Sequence, residues 1–439
     1  MYVRSIDTRP AGTPTRGPRA QGAEAQPGRA PASPQATGAG FRPQAFDPHD
    51  AAFLADPYPT YALFREHAPV YPVEPYGSCW VFRYEDCARA LGEAEVWVKN
   101  PPHGSPSGCG PFAMMASFPQ SLFFTDPPFH GKLRSLLEPA FANAIADAEQ
   151  RTREIAGALL QAARGRDRIE LVSAYALPLP ARVLFGTLGI PEGGPDQDIW
   201  NGLVAWQAAI AAAHDITQPV AVRATGATCS MALISFFEGM LVDDRGPAAR
   251  EGLFAEMCRV LRDAGLSAQQ MQVCASDFLV AGYLSTTFVI GLGVGNLLAH
   301  PDQLEKLRAN PALVRPAFEE MLRFDPAVHI VDRCAAVETE LGGRTFAPGE
   351  TISVVLGSAN RDPDAFVEPD RFDIERGETR HLAFGAGIHH CIGAPLARIV
   401  APVALETLLA EFDALALAEQ PRWQTDPYLR APTSLTLNF

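Results

Sequence analysis

The residues best suited to chemistry form one run near the end of the chain, Phe384-Gly385-Ala386-Gly387-Ile388-His389-His390-Cys391-Ile392-Gly393, followed by Ala394, Pro395, Leu396, Ala397 and Arg398 on a helical pattern. A cysteine there sits at a helix N-terminus, where unpaired backbone N–H groups and the positive end of the helix dipole favour the thiolate. The flanking glycines permit a tight loop able to present the sulfur to a flat cofactor. Two blander readings stand beside this one. Most cysteines are simply small buried hydrophobes. Zinc is the other, since His381, His389, His390 and Cys391 fall within eleven residues. Adjacent His390 and Cys391 point apart, however, and no CxxC or HxxxH pair completes a tetrahedral set.

Stepping N-terminally, Glu320 and Arg323 are spaced i, i+3 at the end of a helical pattern, and His130 and Arg134 are spaced i, i+4 on another. Such pairs share a helix face; the first suits an ion pair and the second could clamp one anionic group. The elements carrying them are mainly helical, at about 58–68, 128–138, 144–164, 174–189, 196–214, 220–241, 251–263 and 268–299. Strand patterns occur at 70–73 and 80–82, as a hairpin, and again at 329–335, 337–341 and 351–356. The fold class expected is mainly α with small β-sheets. A single domain over 41–439 is expected to follow a disordered tail over 1–40, in which Pro, Gly and Ala fill 20 of 40 positions. That tail is Arg-rich and acid-poor like a transit peptide, but its prolines forbid a long amphipathic helix.

The chain has 439 residues, a formal charge of −14 and 47% apolar residues. That balance offers no footprint for a phosphate backbone, so no nucleic-acid partner is expected. Eight cysteines without CxxC spacing read as reduced, cytoplasmic thiols. Residues 278–299 run 22 positions without a charge, long enough to cross a bilayer. The run lacks Lys or Arg flanks and carries Gly282, Ser285, Thr286, Thr287 and Asn296, which favours a buried central helix and no membrane span. Asn100–Gln120 contains no Asp, Glu, Lys or Arg but has Phe112, Met114, Met115 and Phe118, the pattern of an apolar loop covering something.

The loop at Cys391 resembles the heme-binding loop of the cytochrome P450 family of heme-thiolate monooxygenases, of the soluble bacterial type, and matches its pattern at every position. The resemblance extends over 46–439. It implies heme b (iron protoporphyrin IX) held between a long central helix and the cysteine loop, with Cys391 as the metal ligand and Phe384 packed against the thiolate loop. It implies His130, Arg134, Arg333 and His389 as partners of the heme carboxylates. It makes Glu320, Arg323 and, in Pro369-Asp370-Arg371-Phe372, Arg371 a buried structural triad. On the central helix, Ala281-Gly282-Tyr283-Leu284-Ser285-Thr286-Thr287 resembles the oxygen-binding groove. Leu284 and Ser285 replace the usual acid and threonine; a one-residue shift would put Thr286 and Thr287 on the hydroxyl positions but supplies no carboxylate either. Asp277 could contribute only through water.

Insertion of one oxygen atom into an apolar small molecule, terpenoid, fatty or aromatic, is the expected activity, with protons arriving through water held by Ser285. A proton-relay group on the substrate, or a different reaction, are the other readings of the missing acid; they include a peroxide-using or non-oxidising heme protein. Electrons are expected from NAD(P)H through ferredoxin reductase and ferredoxin, docking near a basic patch of Lys132, Arg380 and Arg398. Lys99, His103 and Arg430 are the candidates for holding a substrate carboxylate.

Overall fold

The computed structural model describes residues 41–100, 121–190, 197–213, 215–242, 251–377 and 380–439. The tail over 1–40, His103 and the apolar stretch at 101–120 lie outside the described residues. Helices dominate, as the 3.6-residue periodicity predicts. A five-stranded sheet is formed by β1 (Val70–Val73), β2 (Ser78–Val81), β3 (Trp97–Val98), β4 (Ile330–Ala335) and β5 (Thr351–Val355). The strand order is β1-β2-β5-β4-β3. The expected hairpin is β1–β2, antiparallel with Val70 opposite Val81. β2 and β5 run parallel, whereas β4 pairs antiparallel with β5 and sets Arg333 opposite Ile352. Side chains alternate across a sheet, so Asp332 and Arg333, both buried, serve opposite faces.

The His130 helix spans Phe129–Ala144, longer than its proline suggested. Leu133, Leu137, Ala140 and Phe141 continue one buried stripe across Pro139, and burying that stripe outweighs the hydrogen bond Pro139 cannot make. The central segment that holds the uncharged run is two helices, Ala268–Gly282 and Leu284–Ala299, with a break at Tyr283 (φ −122°, ψ −35°). Its start is fixed by a capping box in which Ser267 and Gln270 satisfy each other's backbone N–H groups. Gly282 allows the break to sit close against a neighbour, because a Cβ there would lie 2.6 Å from Leu184 Cδ2. Two described segments, Val220–Leu241 and Ala268–Ala299, are long and apolar enough to cross a membrane. The second is mostly buried among helices of the core.

Glu320 and Arg323 end the helix Val314–Phe324 and are paired in the core, Nε to Oε2 at 2.7 Å and Nη2 to Oε1 at 2.9 Å. The third member is a correction to the sequence expectation. Arg376, not Arg371, reaches Glu320, its Nε 3.2 Å from Oε1. Arg371 offers only its backbone carbonyl to Arg323, at 3.1 Å, while its half-exposed side chain turns outward to Glu368 and Asp373.

Candidate functional site

The cysteine loop is built by two glycines in the left-handed region, Gly385 (φ +69°) and Gly387 (φ +67°). The Cys391 N–H donates to the Phe384 carbonyl at 2.9 Å and closes the loop. The helix itself spans Ala394–Glu411, starting three residues after Cys391 with Pro395 in its first turn. Even so, burial pushes the Cys391 thiol up while the N–H groups of Gly393 and Ala394 pull it back. Cys391 is recessed within the protein yet exposed, the one such cysteine among the described residues. Phe384 lies under the Arg398 guanidinium, 4.7 Å from its ring centre.

Four basic side chains named from sequence converge beside this loop. The His130 and His389 rings lie 4.2 Å apart, centre to centre. Arg134 donates to the Ile388 carbonyl at 2.8 Å and to Glu138 at 2.6 Å, tying its helix to the loop. Buried Arg333, which donates to the Asp332 carbonyl at 2.9 Å, is close enough for its charge to disfavour protonation of both imidazoles. Burial, above all, drives His389 down to about 4, with Asp126 opposing. His389 Nε2 is buried without a hydrogen-bond partner, 3.9 Å from Asp126 Oδ1, too long for a bond. A buried, orphaned imidazole nitrogen beside basic groups is a donor set waiting for an anionic partner.

On the central helix Ala281 is exposed two residues after the buried run 271–279, and its carbonyl accepts from Ser285 Oγ at 3.1 Å. Such back-bonding by a hydroxyl bends helices, and it occurs here across the break at Tyr283. Thr286 is buried, and the Thr287 hydroxyl donates to the Tyr283 carbonyl at 3.0 Å. Gly282 is turned toward Leu184. Asp277 is held by protein groups: Ser121 Oγ and the Leu122 N–H donate to its carboxylate at 2.8–2.9 Å.

Two further expectations are corrected. Arg430 cannot hold a substrate carboxylate, since it donates to Asp325 at 2.7 Å and to the carbonyls of Leu54 and Ala55. Lys99 Nζ donates to the Asp332 carbonyl at 3.2 Å. In the basic patch, Lys132 caps the Ala264 carbonyl at 3.1 Å and Arg380 donates to the Ala365 carbonyl. Arg398 is neutralised by Glu319 at 2.7 and 3.0 Å, a carboxylate it shares with His381. Glu319 was not singled out from sequence; its place beside Glu320, one position off the expected ion-pair face, was the available signal. Burial alone would raise its pKa, but the His381 and Arg398 contacts win and hold it at about 2. A depressed folded-state pKa contributes stability above the ordinary value of 4.5 and loses it as pH falls toward 2. Glu319→Gln is therefore expected to melt earlier at neutral pH and to show a shallower fall in melting temperature over that acid window, read by thermal denaturation against pH.

The sequence profile of the cytochrome P450 family matches residues 252–439. The cytochrome P450 monooxygenase PikC of Streptomyces venezuelae is 34% identical over 88% of this chain and 92% of its own length. The chain belongs to the cytochrome P450 family. The 6-deoxyerythronolide B hydroxylase of Saccharopolyspora erythraea, 32% identical, aligns over 86% of this chain and 95% of its own. Among solved structures, P450BioI in complex with an acyl carrier protein carrying hexadec-9Z-enoic acid superposes with a TM-score of 0.80 at 30% identity, covering 89% of this chain and all of that one. The fold is thus the P450 fold, and the chain is a heme-thiolate P450 monooxygenase that works on small molecules with redox partners. The recessed, exposed Cys391, the amides aimed at its sulfur and the orphaned His389 fit the heme that the family carries.

Proposed function

We propose that this P450 inserts one oxygen atom into an apolar terpenoid, fatty or aromatic small molecule, using Cys391 as the iron ligand. The observation carrying this reading is the cysteine loop, with its sulfur accessible, recessed and faced by the Gly393 and Ala394 amides. Heme, when bound, supplies the activation of dioxygen. His130, Arg134, Arg333 and His389 hold its carboxylates, and Phe384 shields the sulfur. Ala281 and Gly282 shape the groove on the central helix. Ser285, supported by the Ala281 carbonyl, holds the water through which a proton passes, with Thr286 beside it.

An apolar substrate agrees with the loss of Arg430 as a carboxylate partner. It agrees also with relatives named as a mycinamicin IV hydroxylase/epoxidase, a polyketide biosynthesis P450 and a myxobacterial P450 solved with myristic acid. Electrons come from NAD(P)H through ferredoxin reductase and ferredoxin in the cytoplasm, delivered to a single catalytic domain over 41–439. Since Arg398 is already paired, ferredoxin docking rests on shape and on Lys132 more than on a dense basic patch.

The test begins with a titration of the ferric protein, following heme absorbance against terpenoids, fatty acids and aromatic acids. A spin-state shift with a neutral or fatty class supports the proposal, and one confined to benzoates sinks it. Ser285→Ala is then expected to lower product formed per NAD(P)H by about tenfold or more, leaving substrate affinity within roughly twofold, since no described substrate-sized wall depends on it. Undiminished coupling would remove Ser285 from proton delivery. Product formation with peroxide alone would identify a peroxide-using enzyme, and ligand binding without turnover a carrier or gas sensor.

A further inference from the structure

We propose that Asp277 is a positioning residue of the substrate chamber: it fastens the segment Ser121–Phe124 to the central helix and so sets how tightly a bulky apolar ligand is held. This rests on the reading of the site given above. The central helix carries a carboxylate that accepts hydrogen bonds from a chain segment 155 residues distant in sequence. Ser121 Oγ lies 2.9 and 2.8 Å from the two carboxylate oxygens, and the Leu122 N–H donates to Oδ2 at 2.8 Å. The Phe123 N–H in turn donates to Ser121 Oγ at 3.1 Å. One carboxylate thereby fixes three successive residues.

The location gives this clamp its consequence. Asp277 and the exposed Ala281 are four residues apart and share one stripe of the helix Ala268–Gly282, and Ser285, beyond the break at Tyr283, is tied to Ala281 by its hydroxyl. Asp277 also meets the helix Val220–Val242, since Ser121, Leu233, Ile234 and Val280 line one small cavity with it. Asp277, 1% exposed, therefore bonds the Ser121 segment directly and lies across that cavity from the helix Val220–Val242. The anchored segment seats Leu122 and Phe124 in the protein interior and so presents the half-exposed Phe123 between them, an apolar wall rather than a polar one. Burial raises the Asp277 pKa to about 7 despite the contacts from Ser121, Leu122 and Phe123. The Ser121 hydroxyl and the Leu122 N–H hold the carboxylate oxygens in place, a geometry suited to holding a wall more than to moving a proton.

The experiment compares two iron-ligating probes, imidazole and 4-phenylimidazole, titrated into the purified holoprotein and its Asp277→Asn, Asp277→Ala and Ser121→Ala variants. Imidazole needs little of the wall; 4-phenylimidazole must pack against it. Losing a buried hydrogen-bonded anchor costs on the order of a tenfold change in an equilibrium. Asp277→Ala is therefore expected to weaken 4-phenylimidazole about tenfold and Ser121→Ala several-fold, with imidazole within about twofold. Asp277→Asn keeps an acceptor oxygen and is expected to stay near the parent. Hydrogen exchange at 121–124 should quicken in the same order. Unchanged 4-phenylimidazole affinity in both alanine variants overturns the proposal, as does equal weakening of both probes. Should Asp277→Ala not fold, Ser121→Ala alone decides by the same criterion. A fall in product per NAD(P)H in Asp277→Asn, with both affinities unchanged, also overturns it by making Asp277 a proton relay. A parent protein that takes up no heme, by contrast, would defeat the reading of Cys391 itself.

Discussion

Cys391→Ala is expected to give a folded protein without thiolate-type heme absorbance and without turnover. The sulfur is removed from a loop position that carries no core packing, and the loop-closing Cys391 N–H to Phe384 bond belongs to the backbone. The polypeptide should therefore lose no more than about 1 kcal/mol of stability, the ordinary range for a substitution outside the core. The chemistry behaves differently. With no thiolate to push electron density onto the iron, turnover is expected below about a thousandth of the parent, a change of more than about 4 kcal/mol in activation free energy. Circular dichroism, the absorbance of the reduced protein with carbon monoxide, and product formation read these effects separately. A surviving thiolate-type band would mean that another sulfur binds the iron. The described alternatives are poorly suited, because Cys79, Cys87, Cys258, Cys274 and Cys334 are buried, and burial pushes up the thiols of Cys79, Cys87, Cys258, Cys274 and the half-buried Cys229.

What the sequence disclosed follows how local each feature is. The cysteine loop was legible because its determinants, Gly385, Gly387, Phe384 and Cys391, lie within eight residues, which the Cys391 N–H to Phe384 bond closes on themselves. The pairing of Glu320 with Arg323 was legible from helix geometry alone. The helix break at Tyr283 was not, since the uncharged run from 278 to 299 holds four glycines, Gly282, Gly291, Gly293 and Gly295, with nothing in the sequence to say which marks a break, and the Ser285 hydroxyl bond to Ala281 is a choice among several such bonds open to a serine. The partners of Asp277 and Arg430 were hidden for a stronger reason. Each bonds to groups more than 100 residues away, and no spacing in a single sequence reports such contacts. The basic patch failed similarly: Lys and Arg can be counted from sequence, but the neutralising Glu319 contact to Arg398 spans 79 residues.

The sharpest test of that distinction is the third arginine of the buried triad. Sequence order favours Arg371, inside the Pro369–Phe372 motif, while the structure gives the role to Arg376. Glu320 accepts from Arg323, from Arg376 and from the Asp373 N–H at 2.9 Å. Arg323 in turn donates to the carbonyls of Asn360, Pro369 and Arg371, so the cluster staples the chain before the cysteine loop onto the Glu320 helix. Asn360 passes the connection on, its side-chain oxygen accepting from the Leu382 N–H at 2.7 Å. Removing one partner from a buried charged cluster leaves the others unpaired, at a cost of about 3–5 kcal/mol. Glu320→Gln should pay most of that, since it strands two guanidiniums, and Arg376→Ala should follow it closely because its side chain is 11% exposed. Arg371→Ala removes only half-exposed contacts to Glu368 and Asp373 and should cost less than about 1 kcal/mol. Denaturant unfolding ranks the three variants, and heme retention after gel filtration should follow the same order as the loop loses its staple. Equal losses for Arg371→Ala and Arg376→Ala would return the triad to the motif arginine.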